Sequence, residues 1–406
     1  MIRAHVWRRT FAMLAAAALV AGCTSDDDAG GGGKGNGTTP DRPAEVATLA
    51  SGVAVADATT GGVEGCGDEA VGEIDDESPD HQPARCEPGF PAPAPLAERA
   101  TVKVALNFRV AGYSPILLGE HLGEFDKENI DVEIVEMPSV DALPLLAKGD
   151  IDLVTSAPEA SLYSAVNQGL DLKLIMGANY SPSAGDFSIG QQGIWARADA
   201  FSDPANPDLA ELKGKTIGSA VGFTSVIMWP IERALNEAGI SLTDVRVEQI
   251  PGDATVQALE NDAIQAAWVL DPHWQNLVDN DDFILIATAP PGAQLGAYAA
   301  GPSLLEDNRD VGVAFVRALI RTISTYYVDG YPTEDDVVEA MAEVLDQPVD
   351  AVRNTSPSYM DWEIRDWVVE GPQETFLTLG ELPYSDPIPV EDLVDRTIYL
   401  DAIGAK

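Results

Sequence analysis

From residue 101 onward the apolar positions change period repeatedly. Residues 101–106 (TVKVAL) read as a short buried strand. After a polar turn Ser114 can cap a helix whose first position is Pro115, where a missing amide proton costs nothing. The pattern then predicts a strand over 131–136, a helix over 140–148, a strand over 151–155 ending at Ser156-Ala157-Pro158, a helix over 159–168 and a strand over 172–176. Ile194-Trp195-Ala196 leads through the loop FSDPANPD into a second round of the same kind. Its strands are expected at 216–219, 245–249, 266–270 and 282–287, and its helices over 225–238 and 254–260, although Pro230 would place the second-round cap later. Residues 309–406 read as mostly helical, and 311–327 as strongly amphipathic. Strands separated by helices of about ten residues imply parallel pairing through right-handed crossovers.

Two stretches echo each other. LLAKGDIDLVTSAP (145–158) and ALENDAIQAAWVLDP (258–272) each run helix, polar turn, apolar strand and a loop ending in proline, which predicts two similar lobes. In open α/β sheets ligands sit beyond the carboxyl ends of the strands, near free helix-end N–H groups. The strand, loop and helix start within 101–125 therefore form a binding corner.

Upstream the character is different. Residues 1–22 carry Arg3, Arg8 and Arg9, then the apolar run from Phe11 to Ala21, the layout of a bacterial export signal. Arg8-Arg9-Thr10-Phe11 leaves twin-arginine and ordinary export both open. The apolar run is too short to span a bilayer. Residues 23–100 hold Asp26-Asp27-Asp28, a glycine run and then alanine, proline and acidic residues without an apolar period, so they read as a flexible acidic linker. Cys66 and Cys86 lie within it, and outside the cytoplasm such a pair argues for one disulfide.

Composition narrows the function. Of 406 residues, 66 are acidic and 24 are lysine or arginine, a formal charge of −42, which repels nucleic acid. Catalytic and metal signatures are missing from the sequence: His5 leaves with the signal, His81 is in the linker, His121 sits in a predicted helix and His273 stands alone. Gly214-Lys215-Thr216 lacks the phosphate-loop glycine, since position 209 is Leu209, and Asp279-Asn280-Asp281-Asp282 lacks the glycine and glutamate of a calcium loop. No catalytic residue, cofactor or metal is expected.

Several motifs, taken in order, resemble one family. Gly123-Glu124-Phe125, Lys148-Gly149-Asp150-Ile151-Asp152, Gln168-Gly169 and Leu212-Lys213-Gly214-Lys215-Thr216-Ile217-Gly218 are similar to the NMT1/THI5-like, SsuA-like substrate-binding proteins of ABC importers, from about residue 101 to 290. The chain departs from that pattern at Asn261-Asp262 and Gln265, where the family has a glycine and an aspartate. Val20-Ala21-Gly22-Cys23 resembles the lipobox of bacterial lipoproteins, which implies lipidation of Cys23 and an extracytoplasmic, membrane-anchored protein. The resemblance implies a type II periplasmic-binding fold: two parallel-sheet α/β lobes joined by two crossovers, with a helical C-terminal part. Residues 101–195 and 296–406 would form the first lobe and 196–295 the second. It further implies a monomer that closes on a small polar solute, a sulfonate-, taurine- or nitrate-like anion or a pyrimidine-type heterocycle, and delivers it to a permease and its ATPase. A sensor coupled to a membrane partner, or a pyrimidine-synthesis-type enzyme, are the rival readings.

Candidate ligand contacts follow from the strand ends. On the first lobe these are Asn107, Phe108, Tyr113, Ser114, Ser156 and Ala157, with the aromatics able to stack on a flat ring and the hydroxyls able to hold an anion. Phe108 as ordinary core is the alternative. On the second lobe Gly222, Thr224 and Ser225 precede a helix, where small residues and hydroxyls beside free N–H groups suit an oxyanion; a plain helix cap is the alternative. Trp268 and Asp271 end a strand, and could stack on a ring and accept from an amine or ring N–H; lobe packing and capping are the alternatives.

Overall fold

The alternation at 101–106 folds as β1 (Ala100–Leu106), and the strands and helices that follow give a computed structural model describing residues 65–66, 84–181, 191–327, 334–355 and 359–405. The export signal, Cys23, His5, His81 and the rest of the linker lie outside the described residues. In chain order the strands are β1, β2 (Ile130–Glu136), β3 (Leu153–Ser156), β4 (Lys173–Gly177), β5 (Asn179–Tyr180), β6 (Gly193–Arg197), β7 (Thr216–Ser219), β8 (Arg246–Gln249), β9 (Ala266–Val269), β10 (Phe283–Ala287), β11 (Ala297–Ala300) and β12 (Tyr359–Met360). The helices are α1 (Ser114–His121), α2 (Ser139–Leu146), α3 (Ala160–Asn167), α4 (Met228–Glu237), α5 (Gly252–Glu260), α6 (Arg309–Tyr326), α7 (Asp335–Leu345), α8 (Val349–Arg353), α9 (Trp367–Leu379), α10 (Val390–Leu393) and α11 (Thr397–Ile403).

Two five-stranded sheets share one topology, β2-β1-β3-β11-β4 and β8-β7-β9-β6-β10. The echoing stretches supply β3 and β9, which hold the same third position in each. Pairing is parallel between β1 and its neighbours β2 and β3, and between β7 and its neighbours β8 and β9. Each sheet also carries antiparallel neighbours beside its parallel strands: β11 runs against β3 and β4, and β6 runs against β9 and β10. The reason is the route of the chain. It leaves the first sheet from the carboxyl end of β4 and enters the second as β6, whose starting end lies at the carboxyl edge of β7 and β9. It returns in the same way from β10 to β11. Short links between carboxyl edges put those edges face to face. Residues 193–195, assigned from sequence to the first lobe, therefore stand in the second sheet.

The crossings are tied into a ribbon. Ser181 N–H donates to Ala293 C=O at 2.9 Å and Gly292 N–H to Ser181 C=O at 2.8 Å, while β12 pairs antiparallel with β5. Gly177 N–H reaches Trp362 C=O at 3.0 Å and Asp361 N–H reaches Ala178 C=O at 2.9 Å, so residues 359–363 run along both crossings. Helix α9 then packs on α3 and on α4, helices that flank different sheets.

Three local outcomes correct the sequence reading. Ser114 is the first residue of α1 and not its cap: Tyr113 holds the cap position, and the Ser114 hydroxyl turns back to Ala111 C=O at 2.6 Å. Helix α4 starts at Met228, after Ser225, which places Pro230 in the first turn, where no N–H is needed. The departure at Asn261-Asp262 leaves the turn intact, because Asp262 adopts φ 56° itself, a left-handed conformation that aspartate tolerates better than most residues.

The linker also ends earlier than expected. Cys66 is buried and bonded to Cys86, and residues 84–100 dock on the first sheet's helices. Ala84 N–H donates to Asp361 Oδ1 at 3.3 Å, Arg85 Nη1 to Met360 C=O at 2.7 Å and Leu96 N–H to Glu128 C=O at 3.0 Å. No described helix is long and apolar enough to cross a membrane.

Candidate functional site

The facing carboxyl edges bring four loops together, those after β1 and β3 on one side and those after β7 and β9 on the other. After β1, Asn107 N–H donates to Thr155 Oγ1 at 2.8 Å, which holds the loop to β3, while no hydrogen bond to a described residue uses the Asn107 side-chain amide. Phe108 follows with 49% of its surface exposed. It is therefore not core. Arg109 is turned away, held by Glu136 at 2.5 Å and by Val344 C=O at 2.7 Å.

Tyr113 and Ser114 are not open to a ligand. The Tyr113 hydroxyl donates to Ser156 C=O, its ring meets Tyr298 edge-on at 6.1 Å, and burial raises its phenol well above the ordinary value. Ser114 is fully buried, and its hydroxyl is shared between Ala111 C=O and the Tyr327 hydroxyl at 2.7 Å. Both expectations fall for one reason: the residues hold the binding corner's own frame together.

After β3, Ser156 and Ala157 are buried, and the Ser156 hydroxyl reaches Glu159 Oε1 at 3.4 Å. Glu159 also accepts from the Ser139 hydroxyl just before α3. Burial pushes its carboxyl up, and the hydroxyls of Ser139, Ser161 and Ser156 only partly oppose this. A carboxyl raised in the folded state contributes stability below its ordinary value of 4.5 and loses it as pH rises through the folded value. Glu159→Gln is accordingly expected to raise the unfolding midpoint at pH 7 by a few degrees and to have almost no effect at pH 4, as read by thermal melts at both pH values.

After β7, Gly222 takes φ 73°, and a Cβ there would stand 3.0 Å from Gln249 Oε1. Phe223 is 40% exposed and Thr224 is exposed beside it. Thr224 C=O accepts from Ala160 N–H at 3.1 Å, a direct bond between the loops of the two sheets at the start of α3. Ser225 Oγ accepts from Ile227 N–H at 3.4 Å, so it works within its own turn. After β9, Asp271 is partly exposed and its Oδ1 accepts from Trp274 Nε1 at 2.5 Å. Trp268 is 1% exposed, within the apolar cluster of Ile194, Ile217, Met228 and Trp229, so it cannot stack on a ligand. Its place on β9 faces the helix layer and not the gap.

Asn107, Phe108, Thr224 and Asp271 thus keep accessible atoms at the facing edges, whereas Tyr113, Ser114, Ser156, Ala157 and Trp268 support them from below. Two residues stand at the site beyond those singled out from sequence. Phe223 lies exposed in the loop after β7 as Phe108 does in the loop after β1. Glu159 was taken as part of a helix, and it stands at that helix's mouth. Among the described residues no group of three or more histidine, cysteine, aspartate and glutamate side chains could hold a metal ion.

A model of the family described as NMT1/THI5 like matches residues 111–334. Solved structures share the architecture at low identity. The alkanesulfonate-binding protein SsuA of Xanthomonas axonopodis pv. citri, bound to MOPS, is 18% identical; the match covers 74% of this chain and 100% of that one, with a TM-score of 0.56. The periplasmic nitrate-binding protein NrtA of Synechocystis PCC 6803 is 15% identical, with 76% and 89% covered and a TM-score of 0.55. A Haemophilus influenzae protein named for thiamine biosynthesis is 28% identical over 160 residues, 38% of this chain and 46% of that protein. The chain thus spans about half the length of this curated relative. The fold is the type II periplasmic-binding fold.

Proposed function

The chain belongs to the NMT1/THI5-like family, and on that premise we propose that it is the extracytoplasmic solute-binding subunit of an ABC importer, anchored through lipid on Cys23. The first lobe would comprise the sheet containing β1 and the C-terminal helices, the second the sheet containing β7. Closure on a solute presents a surface to the permease and its ATPase, because a ligand that contacts both edges binds the closed form better than the open one. One observation carries the reading most: the facing carboxyl edges each expose one aromatic, Phe108 and Phe223, above polar groups already held in place. Aromatic faces with the Asn107 amide and the Thr224 hydroxyl suit a flat polar ring. Titration calorimetry against pyrimidines, riboflavin, sulfonates and nitrate is the test. One molecule bound per chain, with the compound recovered unchanged, supports it; turnover, or a compound bound away from these loops, overturns it.

Within this reading the two polar contacts at the second edge matter most. Thr224→Ala and Asp271→Ala are each expected to weaken solute binding about tenfold, the loss of one hydrogen bond to a polar or charged group; Thr224→Ala should leave the unfolding midpoint unchanged, whereas Asp271→Ala should lower it by a few degrees, because the buried Trp274 Nε1–H loses its acceptor. Calorimetry beside a thermal melt checks both halves of that statement. A sensor role is separated from import by transport itself: vesicles carrying the permease and ATPase should take up the solute only when this protein is added. The protein works as a monomer, without cofactor or nucleic acid.

A further inference from the structure

Away from the facing edges, α4 and α9 enclose a cavity of about 400 Å³. Its lining comes from these two helices and from none of the four loops after β1, β3, β7 and β9. The inner wall is apolar: Trp229 and Trp367 meet there with 5.3 Å between ring centres and 60° between planes. Gly371 makes room for them, because a Cβ at that position would stand 2.5 Å from Trp229 Nε1.

The polar lining is acidic. Glu232 is 9% exposed, no hydrogen bond or ion pair within the described residues uses its carboxylate, and its oxygens keep accessible surface. Glu370 and Glu374 stand one turn apart on α9 at the exposed rim, and among the described lining residues the cation facing the three carboxylates is Arg233. A carboxylate taken this far out of bulk water recovers little hydration, so such groups are normally matched by a cation. Glu232 is buried against open volume, whereas the Tyr113 and Ser114 hydroxyls are spent on neighbours and Trp268 lies inside an apolar cluster.

The make-up of the wall says which cation. Among the described residues no three acidic or histidine side chains converge as a metal ion requires, and indole surface suits hydrocarbon. An ammonium group on an alkyl chain meets both conditions. Its N–H groups can donate to Glu232 and to the Thr375 hydroxyl on the facing helix, while its methylenes lie on the indoles.

We propose that the cavity between α4 and α9 binds a primary alkylamine, at a site separate from the one for the solute. The ammonium pairs with Glu232, and a second amine at the far end of the chain is drawn to the rim carboxylates.

Calorimetry with pentylamine, cadaverine and the neutral analogue pentanol tests the proposal on wild type, Glu232→Gln, Glu374→Gln and Asp271→Ala. Wild type should bind pentylamine about tenfold or more tighter than pentanol, and cadaverine tighter again. Glu232→Gln should lose about tenfold or more in affinity for both amines. Without amine it should melt no lower than wild type, because it removes a carboxylate that nothing pairs. Glu374→Gln, an exposed change, should narrow the advantage of cadaverine, and Asp271→Ala should leave amine affinity unchanged. Equal binding of amine and alcohol overturns the site. So does amine affinity untouched by Glu232→Gln, which would mark diffuse attraction to an acidic surface. Affinity lost in Asp271→Ala alone puts the amine at the facing edges and also overturns it, while solute binding stands. Should Glu232→Gln fail to fold, the advantage of cadaverine surviving intact in Glu374→Gln overturns the proposal and its loss upholds it. No amine bound by wild type overturns it outright.

Discussion

Arg321→Ala is expected to lower folding stability by about 3–5 kcal/mol, the loss typical of removing one partner from a buried ion network. Arg321 lies on α6, 1% exposed, with Glu124 and Glu128 equally buried against it. Its Nε donates to Glu124 Oε2 at 2.8 Å and its Nη1 to Glu128 Oε1 at 2.7 Å. Nη1 also reaches Pro91 C=O at 3.1 Å and Nη2 reaches Glu124 C=O at 2.9 Å. The substitution leaves two buried carboxylates with Arg317 and Lys127 as their remaining cations, and it frees the backbone of the docked strap. Burial pushes Glu124 upward, yet hydrogen bonds from Lys127, Arg321 and Tyr326 outweigh it and hold the group below 4.5. A carboxyl lowered in this way stabilises the fold above its ordinary value and stops doing so as pH falls through the folded one. Wild type should therefore lose stability as acid protonates Glu124, and Arg321→Ala should show a shallower acid loss from a lower starting point. Urea unfolding at pH 7 and at pH 4 reads both, and faster tryptic cleavage at Arg85 or Arg99 reports release of the strap.

That network shows what the chain disclosed and what it hid. The run 266–269 was legible as a strand because a central strand of a covered sheet is buried on both faces, and 101–106 because exposed Thr101 and Lys103 alternate with buried Val102 and Val104. Helix starts were less so: Ser114 and Ser225 each stand near a proline, a pattern that fits a cap, but the Ser114 hydroxyl goes to Ala111 C=O and Tyr327 and the Ser225 hydroxyl serves its own turn. The docking of residues 84–100 was only partly legible, since beside the side chains of Arg85 and Arg99 it runs through the carbonyls of Pro91 and Ala94 and the N–H of Leu96, backbone groups that leave no mark in composition. Trp268 could be placed on a strand but not on a face of it. Arg321 had a signal that went unread, a cation inside the apolar stripe of an amphipathic helix, matched by Glu124 and Glu128 one turn apart. Phe223 resembled Phe108 only once the loops after β1 and β7 were seen to lie at facing edges.

Gly177→Ala tests the crossings, and it should destabilise the protein by about 2–4 kcal/mol, through overpacking and the buried hydrogen bonds it disturbs. Gly177 ends β4 where residues 361–363 lie across it. A Cβ there would stand 2.3 Å from Gln294 Nε2, 2.5 Å from Glu363 C=O and 2.6 Å from Asp361 C=O. None of these can be met without movement. Gln294 Nε2 donates to both of those carbonyls, and the Gly177 N–H bond to Trp362 C=O holds the same segment, so yielding at one contact strains the others. The side-chain contact is the closest, which suggests relief through Gln294→Ala. The two backbone carbonyls remain in the way, however, and the double variant also loses the amide that tied them. Gly177→Ala/Gln294→Ala should therefore recover less than half of the lost stability. Full recovery would mean that only the glutamine side chain needs the space. Because the ribbon joins the two edges, Gly177→Ala should also weaken solute binding, while Gly380→Ala, at an exposed helix end with open space around it, should leave affinity unchanged. Calorimetry on the folded fraction of each variant separates a displaced crossing from a merely less stable protein.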